Sequence, residues 1–453
     1  MSAPGTGLVW FRRDLRLENN PAWAAATARH RSVVAMFVIE PPLIASAGKA
    51  RRNLLIAHLR ALDDELTQLG GRLVVRNGPA SKAVPMAAAE CEATGVYLNH
   101  DVSSYSARRD SAVARAGVSP IHGFYGLTVH EPGKVLTAKG LLSQVFTPFY
   151  RAWLTTPLTP WPEPGPGRAT TMASDPLPQL DGPVLHTPGA VGAWQRLTAW
   201  LERVDDYPAL RDLPAAPGTS ELSSDLKFGT IAARTLLEVV GTATPGRSAF
   251  ARQIAWRDWW AHTLAMHPHL GHRALKPSYD KIEWRNDAEG FDRWCRGLTG
   301  YPIVDAGMRQ LAATGWMHNR VRMITASFLV KDLLVDWRLG ERFFRRQLID
   351  GDLAQNAGNW QWIAGTGPDA APYFRIFNPV SQGIRFDPTG EYIRRWVHEL
   401  AEVPADMIHQ PHKADAHRRE AAGIVIGTTY PAPIVDHAYA RTRALDAYRR
   451  ART

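Results

Sequence analysis

The sequence predicts an α/β amino-terminal domain, built on an open parallel Rossmann-like sheet, followed by an all-α carboxyl-terminal domain. Three observations lead to this fold class. Short β-branched apolar runs alternate with helical patterns over roughly the first 125 residues. A proline-rich stretch follows, and beyond about residue 190 the apolar patterns have the 3.6-residue period of helices. We therefore expect a sheet domain over residues 1–126, a linker over 127–189 and a helical domain over 190–453.

Strands and helices alternate in the predicted sheet domain. The strands are expected over residues 7–11, 32–40, 72–76 and 95–99, and the helices over 49–69, 81–93 and 107–116. This alternation gives a parallel sheet, which binds ligands beyond the carboxyl ends of its strands. The first strand leads into WFRRDLRL and not into G-x-G-x-x-G, so we expect no ordinary dinucleotide site there.

Nine prolines lie between residues 157 and 188, a density that no helix tolerates. This stretch is interpreted as an extended surface linker. Beyond it, helices are predicted over residues 193–203, 231–240, 250–267, 302–314, 322–334 and 340–348.

Composition excludes several classes of protein. The 453 residues are 45% apolar and 21% charged, which is typical of a folded globular chain. Cys91 and Cys295, the two cysteines, exclude a disulfide framework, and the pair His267 and His269 lacks a third ligand, so no metal site is predicted. We find neither a signal-peptide pattern nor a run of about 18 apolar residues, and we expect a cytoplasmic protein without a membrane span.

Charge and aromatic content are unusual. Lys and Arg total 53 against 43 Asp and Glu, so the net charge is +10, which favours a polyanionic partner. The 16 tryptophans outnumber the 14 phenylalanines and 12 tyrosines. Most are interpreted as core residues, since tryptophan buries a large area.

Two segments contain candidate binding residues. GTSELSSDLKFG places Thr219, Ser220 and Ser223 before a predicted helix, where hydroxyls and free N–H groups suit a phosphate or pyrophosphate. Taken alone, they are better explained as an ordinary helix cap.

The second segment is GWMHNRVRMITASFLVKDLL, where Asn319, Arg322 and Met323 share one helix face. An arginine in an apolar helix needs an anionic partner, and Asp350 and Asp352 are candidates. A structural ion pair explains these residues equally well. The chain contains no Ser-His-Asp set and no P-loop.

Together these segments resemble the photolyase/cryptochrome flavoprotein family, and specifically a bacterial class I cyclobutane-pyrimidine-dimer photolyase. The resemblance extends over nearly the whole chain and keeps the order of the family's motifs. The matching segments are VWFRRDLRL, PFYRAW, GTSELS, AWRDWW, TGYPIVDAGMRQL, GWMHNRVRM, LIDGDLAQNAGNWQW and APYFRIFNPVSQG.

The resemblance implies a non-covalent FAD, reduced in the active form, in the helical domain. Residues that match its phosphate and ribityl contacts are Tyr207, Thr219, Ser220, Leu222 and Ser223. Residues that match the surroundings of the flavin ring and adenine are Arg257, Asn319, Arg322, Asp350, Asp352 and Asn356. Arg322, held by Asp350, would supply the positive charge that a reduced anionic flavin needs, and Asn356 would face the flavin N5.

The implied activity is light-dependent DNA repair, in which an electron from photoexcited reduced FAD splits a dimer flipped out of the duplex. The implied partner is UV-damaged DNA, bound by a monomer. Trp256 and Trp362 match aromatic walls of the lesion site, and Gln253, Asn319 and Met323 match further lesion contacts. Arg320 and Arg375 match contacts with backbone phosphates. Trp284, Trp337 and Trp360 match the family's electron relay.

The amino-terminal domain of this family holds an antenna pigment. Ser106 stands about where folate-type members have an acidic residue, so we expect 8-hydroxy-5-deazaflavin rather than methenyltetrahydrofolate. A protein without any antenna is an open alternative.

The other functions implied by the fold are a cryptochrome light receptor and a (6-4) photoproduct photolyase. Signalling cryptochromes often have a long disordered tail, whereas here the helical pattern runs to about Tyr448 and the sequence stops at Thr453. Gln253 replaces the Glu that bacterial dimer photolyases often have and agrees with (6-4) enzymes, but the His pair of those enzymes is absent from HNRVRM. A light-independent flavin protein would not need the basic and aromatic lesion residues. Dimer repair is therefore expected.

Overall fold

The computed structural model describes residues 5–117, 119–369, 372 and 374–452. The chain divides into two compact units. The first contains the chain up to Asp205, with Ser220–Pro268 and Ile349–Ala354. The second contains Asp206–Thr219, His269–Leu348 and the chain from Gln355 onward. These units are compact regions of the fold and do not define domain boundaries, so the predicted boundaries at residues 126 and 189 stay predictions.

The first unit contains a parallel sheet with the order β3–β2–β1–β4–β5, in which β6 also pairs with β2. The described strands are β1 (Thr6–Phe11), β2 (Ser32–Ile39), β3 (Leu73–Asn77), β4 (Ala93–Asn99), β5 (Ile121–Phe124) and β6 (Arg168–Thr170). Strand order reverses at β1, where Gly7 is in register with Val33 on one side and Gly95 on the other. The carboxyl end of β1 is therefore the topological switch point, the usual place for a ligand or its supporting residues.

Helices account for most of the remaining chain. The α-helices are α1 (Pro21–Arg29), α2 (Pro41–Ser46), α3 (Lys49–Gln68), α4 (Ala80–Glu90), α5 (Ser104–Arg115), α6 (Phe146–Thr155), α7 (Gly189–Leu201), α8 (Tyr207–Leu210), α9 (Ser223–Phe228), α10 (Ala233–Val240), α11 (Pro245–Met266), α12 (Ala288–Cys295), α13 (Pro302–Thr314), α14 (Asn319–Ser327), α15 (Trp337–Gln347), α16 (Leu353–Ala364), α17 (Pro379–Phe386), α18 (Glu391–Trp396), α19 (Ala416–Ala421) and α20 (His437–Arg450). The 3₁₀ turns are Val204–Asp206, Pro277–Lys281, His398–Leu400 and Pro411–Lys413, and Phe328–Asp332 is a π-helix.

Each unit has its own apolar core. In the first, Leu8, Val34 and Val74 of adjacent strands are almost fully buried beneath α4. In the second, α13 packs against α14, α17 and α18, and the centre of the core contains Trp294 and Trp337, which are both 0% exposed. The fold class predicted from the sequence is confirmed. In the described part of the chain, no helix combines the length and the apolar character that a membrane crossing requires.

Part of the predicted linker belongs to the sheet. Residues 167–175 contain no proline, so Arg168–Thr170 can form the parallel ladder of β6. Gly167 comes so close to the neighbouring backbone that an added Cβ would lie 2.3 Å from the carbonyl oxygen of His30. The other difference concerns residues 322–334, where the predicted single helix is α14 followed by the π-helix, which ends at Asp332.

Candidate functional site

The residues predicted to bind cofactor and DNA are divided between the two units. The first unit contains Ser220, Leu222, Ser223, Gln253, Trp256, Arg257, Asp350 and Asp352. The second contains Tyr207, Thr219, Trp284, Asn319, Arg320, Arg322, Met323, Trp337, Asn356, Trp360, Trp362 and Arg375.

The predicted phosphate segment leads into α9, which begins at Ser223 as expected but has only six residues. The Ser220 hydroxyl accepts a 3.4 Å hydrogen bond from the backbone N–H of Leu222. The helix is anchored from inside the unit, because the fully buried Asp225 accepts two hydrogen bonds, of 2.6 and 2.9 Å, from Arg196. The Ser223 side chain remains exposed. The segment is thus a fixed turn with a hydroxyl on its surface.

Asp352 belongs to a buried cluster of charges in the first unit. The Arg13 guanidinium bonds Asp352 with one nitrogen and lies 3.0 Å from Asp101 Oδ1 with another. Burial by itself lowers the pKa of Arg13, but Asp101 and Asp352 outweigh it and raise the pKa above the usual range. Burial, reinforced by Arg13, lowers the pKa of Lys227 to about 7. Asp352 is therefore held in a defined orientation by Arg13.

Arg257 is fixed by backbone carbonyl groups. Its guanidinium donates to Leu127 O at 2.7 Å and to Leu226 O at 3.0 Å, and burial lowers its pKa. Asp350 is 8% exposed. The expected pairing of Asp350 with Arg322 joins residues of different units and stays a prediction.

Asn356 on α16 has one defined amide orientation. Its Nδ2 donates to Glu341 O at 2.8 Å and to Glu341 Oε1 at 3.0 Å. Because a backbone carbonyl can only accept, the amide nitrogen must face Glu341 and the amide oxygen must face away. Glu341 is fully buried, burial raises its pKa, and Arg345 Nε lies 3.1 Å from the same Oε1. Asn356 thus presents an oriented hydrogen-bond acceptor.

The predicted face of α14 is observed. Asn319 Nδ2 lies 3.9 Å from the sulfur of Met323, one turn later. Arg322 Nε donates to Met317 O at 2.7 Å, which holds the base of this side chain against the preceding loop.

The three predicted relay tryptophans lie in the core of the second unit or at its edge. Trp337 and Trp360 are 0% and 3% exposed, and Trp284 is half-buried. Among the described residues, no ring contact joins any two of them. Trp360 meets Phe344 edge-on at 5.1 Å, and Trp284 meets Tyr448 edge-on at 6.2 Å. The electron-relay role stays a prediction.

Two predicted lesion residues lie on α11. Trp256 stacks on Phe146 with the ring centroids 3.7 Å apart and the planes inclined by 11°. Gln253 is half-buried, and its Nε2 donates to Ala249 O at 3.5 Å. One face of the Trp256 ring is therefore supported by the ring of Phe146.

The remaining lesion and phosphate residues belong to the second unit. Arg320 pairs with Asp212 at 2.9 Å, and its guanidinium carbon lies 4.2 Å from the Phe386 ring centroid. Arg375 is exposed, and no carboxylate in the described part of the chain pairs with it. Trp362 packs against the apolar core. Arg375 is thus the more available of the two predicted phosphate contacts.

Sequence reasoning missed two residues that orient the site, Arg13 and Glu341. Arg13 follows β1 in WFRRDLRL, at the switch point, and this position could have marked it. Glu341 carries no such signal, because α15 contains other charged residues and only the structure shows which one is buried.

Comparison with known proteins identifies the family. Residues 7–166 match the family model described as DNA photolyase, and residues 250–450 match the model for the FAD binding domain of DNA photolyase. The chain is 40% identical to a deoxyribodipyrimidine photo-lyase of Agrobacterium fabrum, over 97% of both chains. It is also 40% identical to the Escherichia coli enzyme of the same name, over 99% of both.

Solved structures agree with this result. A class III photolyase from Agrobacterium tumefaciens has a TM-score of 0.92 and 39% identity, covering 100% of this chain and 98% of that one. A Synechocystis cryptochrome has a TM-score of 0.89 and 27% identity, covering 99% of this chain and 100% of that one. The predicted class I assignment is not confirmed by these relatives. The predicted family is confirmed: the chain belongs to the DNA photolyase family.

Proposed function

We propose that this chain repairs UV-damaged DNA in light, as a deoxyribodipyrimidine photo-lyase that splits cyclobutane pyrimidine dimers with FAD as its cofactor. Its relatives of 40% identity bear that enzyme name. The observation that carries the proposal is the fixed orientation of Asn356, whose amide oxygen is left as an acceptor by the two bonds to Glu341.

The residues of the site suit a reduced flavin. When bound, reduced FAD absorbs the light and supplies the electron for dimer splitting. The Asn356 oxygen would accept the hydrogen bond of an N5–H group, which a reduced flavin has and an oxidised flavin lacks. Glu341 would prevent the amide from rotating by about 180°, so Asn356 would favour the reduced form of the flavin. Asp352 would be kept in position by Arg13.

The remaining site residues would perform distinct tasks. Trp256, backed by Phe146, and Trp362 would form walls for the flipped dimer. Gln253 and the Asn319–Met323 pair would contact the dimer. Trp284, Trp337 and Trp360 would return the flavin to its reduced state by passing electrons inward. Tyr207, Thr219, Ser220, Leu222 and Ser223, with Arg257, Arg322 and Asp350, would hold the rest of the cofactor.

Backbone phosphates would be bound mainly by Arg375, because Arg320 is already neutralised by Asp212. We further propose that the protein acts as a monomer in the cytoplasm. Light scattering of the purified protein with and without DNA would measure the oligomeric state.

The test is illumination of the purified, chemically reduced protein with three DNAs, carrying a cyclobutane dimer, a (6-4) photoproduct or no damage. Loss of the cyclobutane dimer alone is expected. Loss of the (6-4) photoproduct would favour that substrate, and flavin photochemistry without any repair would favour a cryptochrome.

Two asparagine variants on α16 test the observation behind the proposal. Asn356→Ala should lose reduced flavin, measured as the fraction that stays reduced in air. Asn359→Ala should not, since Asn359 is exposed and its side chain donates to Gln355 O, its one hydrogen-bond partner among the described residues. Equal behaviour of both variants would contradict the proposed role of Asn356.

For the antenna we propose 8-hydroxy-5-deazaflavin over methenyltetrahydrofolate. The Ser106 hydroxyl donates to Asp101 at 3.1 Å and accepts from Ser103 at 3.0 Å, so it is bonded within the chain, and a serine supplies no carboxylate of its own to a folate. An archaeal relative from Sulfolobus tokodaii, 32% identical with a TM-score of 0.87 over 98% of this chain and 100% of that one, contains two FAD molecules. Reconstitution with each pigment, followed by measurement of energy transfer to the flavin, would decide among these pigments and the protein without an antenna.

A further inference from the structure

Three aromatic rings in the first unit form a continuous stack. Phe146 lies between Trp256 of α11 and Tyr150, with centroid distances of 3.7 and 5.7 Å and interplanar angles of 11° and 17°. Phe146 is 1% exposed, whereas Trp256 and Tyr150 are half-buried. The stack therefore connects the predicted lesion wall to a second side chain that reaches the surface.

Arg252 lies against this stack. Its guanidinium carbon is 5.1 Å from the Phe146 ring centroid and 4.9 Å from that of Tyr150. In the part of the chain that the structure describes, the Arg252 side chain makes no ion pair and no hydrogen bond. Aromatic faces attract the charge of a guanidinium but do not satisfy its five N–H donors. Arg252 is thus a fixed cation with its donors unused.

Another arginine of the same unit that lies over an aromatic ring differs in this respect. Arg234 lies 4.7 Å from the Trp161 ring centroid, but its Nε is also 2.9 Å from Glu238. Around Arg252 such a carboxylate is absent from the nearby sequence: residues 132–162, which include α6, contain no Asp or Glu, and α11 contains none before Asp258. The charged side chains of these two stretches are therefore all positive, which favours an anion.

Arg252 also lies close to Trp256, the predicted wall of the lesion site. It precedes Trp256 by four residues on α11, so the two side chains share one helix face about 6 Å apart along the axis. The Tyr150 hydroxyl, which makes no hydrogen bond among the described residues, is a further donor on the ring against which the guanidinium lies. Arginine and tyrosine are both common phosphate contacts.

We propose that Arg252 and Tyr150 bind one backbone phosphate of the damaged strand, beside the flipped dimer. Phe146 is the positioning residue, because it contacts both Trp256 and Arg252. The phosphate contact and the lesion wall would then form one rigid element. This inference rests on the proposed function, since it takes Trp256 as a wall of the lesion site.

The experiment measures the affinity of the full-length protein for a duplex with one cyclobutane dimer over a salt series. Arg252→Gln should weaken binding about tenfold and reduce the salt slope by about 0.9, the value for one phosphate contact. Arg252→Lys should keep the slope, because the charge remains. Arg234→Gln is the matched control and should bind as the parent does, since Glu238 already neutralises that arginine.

A set of duplexes in which single phosphates beside the dimer are replaced by neutral methylphosphonates locates the contact. In the parent, one replacement should weaken binding about tenfold, and in Arg252→Gln the same replacement should have a smaller effect, because only the Tyr150 contact is left to lose. Tyr150→Phe should weaken binding to the unmodified dimer duplex, whereas its affinity for the duplex neutralised at that position should equal the parent's. An unchanged salt slope in Arg252→Gln, or additive losses at every position, would overturn the inference.

The parent protein distinguishes this inference from the proposed function. If the parent does not prefer dimer-containing DNA over undamaged DNA, the proposed function is wrong and so is the inference that rests on it. If the parent prefers the dimer and Arg252→Gln behaves like Arg234→Gln, only the inference is wrong. Thermal unfolding of each variant shows whether a loss of binding reflects a loss of fold.

Discussion

Asp352 in the first unit and Trp360 in the second both match functional positions and both are buried, but different forces hold them. Asp352 is held by an ion pair with Arg13, which also contacts Asp101. Trp360 is held by close packing against Phe344 and a glycine of α15. Charge fixes one region, whereas close packing fixes the other.

This difference predicts which kind of substitution destabilises each region. A buried ion cluster is sensitive to the loss of one partner, because the remaining charge stays buried without compensation. A packed aromatic core is sensitive to volume, because interiors have few voids to absorb an added group. The variants below test this contrast.

The largest effect on stability is expected for Asp101→Asn. Burial alone would raise the pKa of Asp101, but Arg13, Lys227 and Arg12 hold it well below the usual range. Removing this charge leaves Arg13 with one carboxylate and should lower the free energy of unfolding by about 3–5 kcal/mol. Glu238→Gln breaks an exposed pair and should cost less than about 1 kcal/mol. Urea unfolding measures both, and equal losses would refute the contrast.

The next effect depends on pH and concerns Asp258, a buried carboxylate of the same unit. Burial raises its pKa to about 6, although the Trp153 indole N–H and two backbone N–H groups oppose the shift. The folded state then keeps a proton that the unfolded chain releases near pH 4, so this group makes stability fall as pH rises from about 4 to 6.

Relative to Asp258→Asn, the parent should lose about 2–3 kcal/mol over this pH range. Urea unfolding of both proteins at several pH values measures the difference. A difference that does not change with pH would show that Asp258 is ionised throughout.

In the second unit the corresponding test adds volume. A Cβ at Gly340 would lie 2.2 Å from Cη2 of Trp360, so Gly340→Ala should cost about 1–3 kcal/mol of stability. The cost should shrink when Trp360→Phe is also present, because phenylalanine lacks the clashing ring atoms. A cost that is the same in both backgrounds would mean that Trp360 does not limit the space at this position.

The last effect concerns DNA binding and not stability, at Gln253, which depends neither on an ion pair nor on close packing. Its amide can pair with both the N3–H and the C4 carbonyl of a thymine, so Gln253→Ala should weaken dimer binding by about 1–3 kcal/mol. Gln253→Glu should weaken it less and change mainly the repair yield per photon. Dimer binding by Gln253→Ala at the parent's affinity would reopen the choice of substrate.

Local patterns predicted the fold well. The strands over 7–11 and 95–99 and the helix over 302–314 lie within β1, β4 and α13, because apolar period and β-branching act locally. The short β6 was missed, since a three-residue strand in a proline-rich stretch has too few residues to show a period.

For the candidate site, the sequence motifs marked Asp352 and Asn356, and their roles stay predictions. The residues that orient these two side chains, Arg13 and Glu341, were not predicted. Arg13 and Asp352 are 339 positions apart in the chain. Only the folded backbone brings such residues together, and no periodicity encodes their pairing. Likewise, the sequence could not show that Asp212 neutralises Arg320 while no carboxylate of the described residues neutralises Arg252.

One measurement separates the electron relay from the repair chemistry. Trp360→Phe and the parent are illuminated with dimer-containing DNA, first with oxidised FAD and then with chemically reduced FAD, and dimers are counted. Phenylalanine preserves most of the packing but is much harder to oxidise, so the variant should fail to photoreduce its flavin and yet repair as the parent does once reduced. Loss of repair by the pre-reduced variant would contradict this account, because Trp360 would then serve the structure or the lesion site and not the relay.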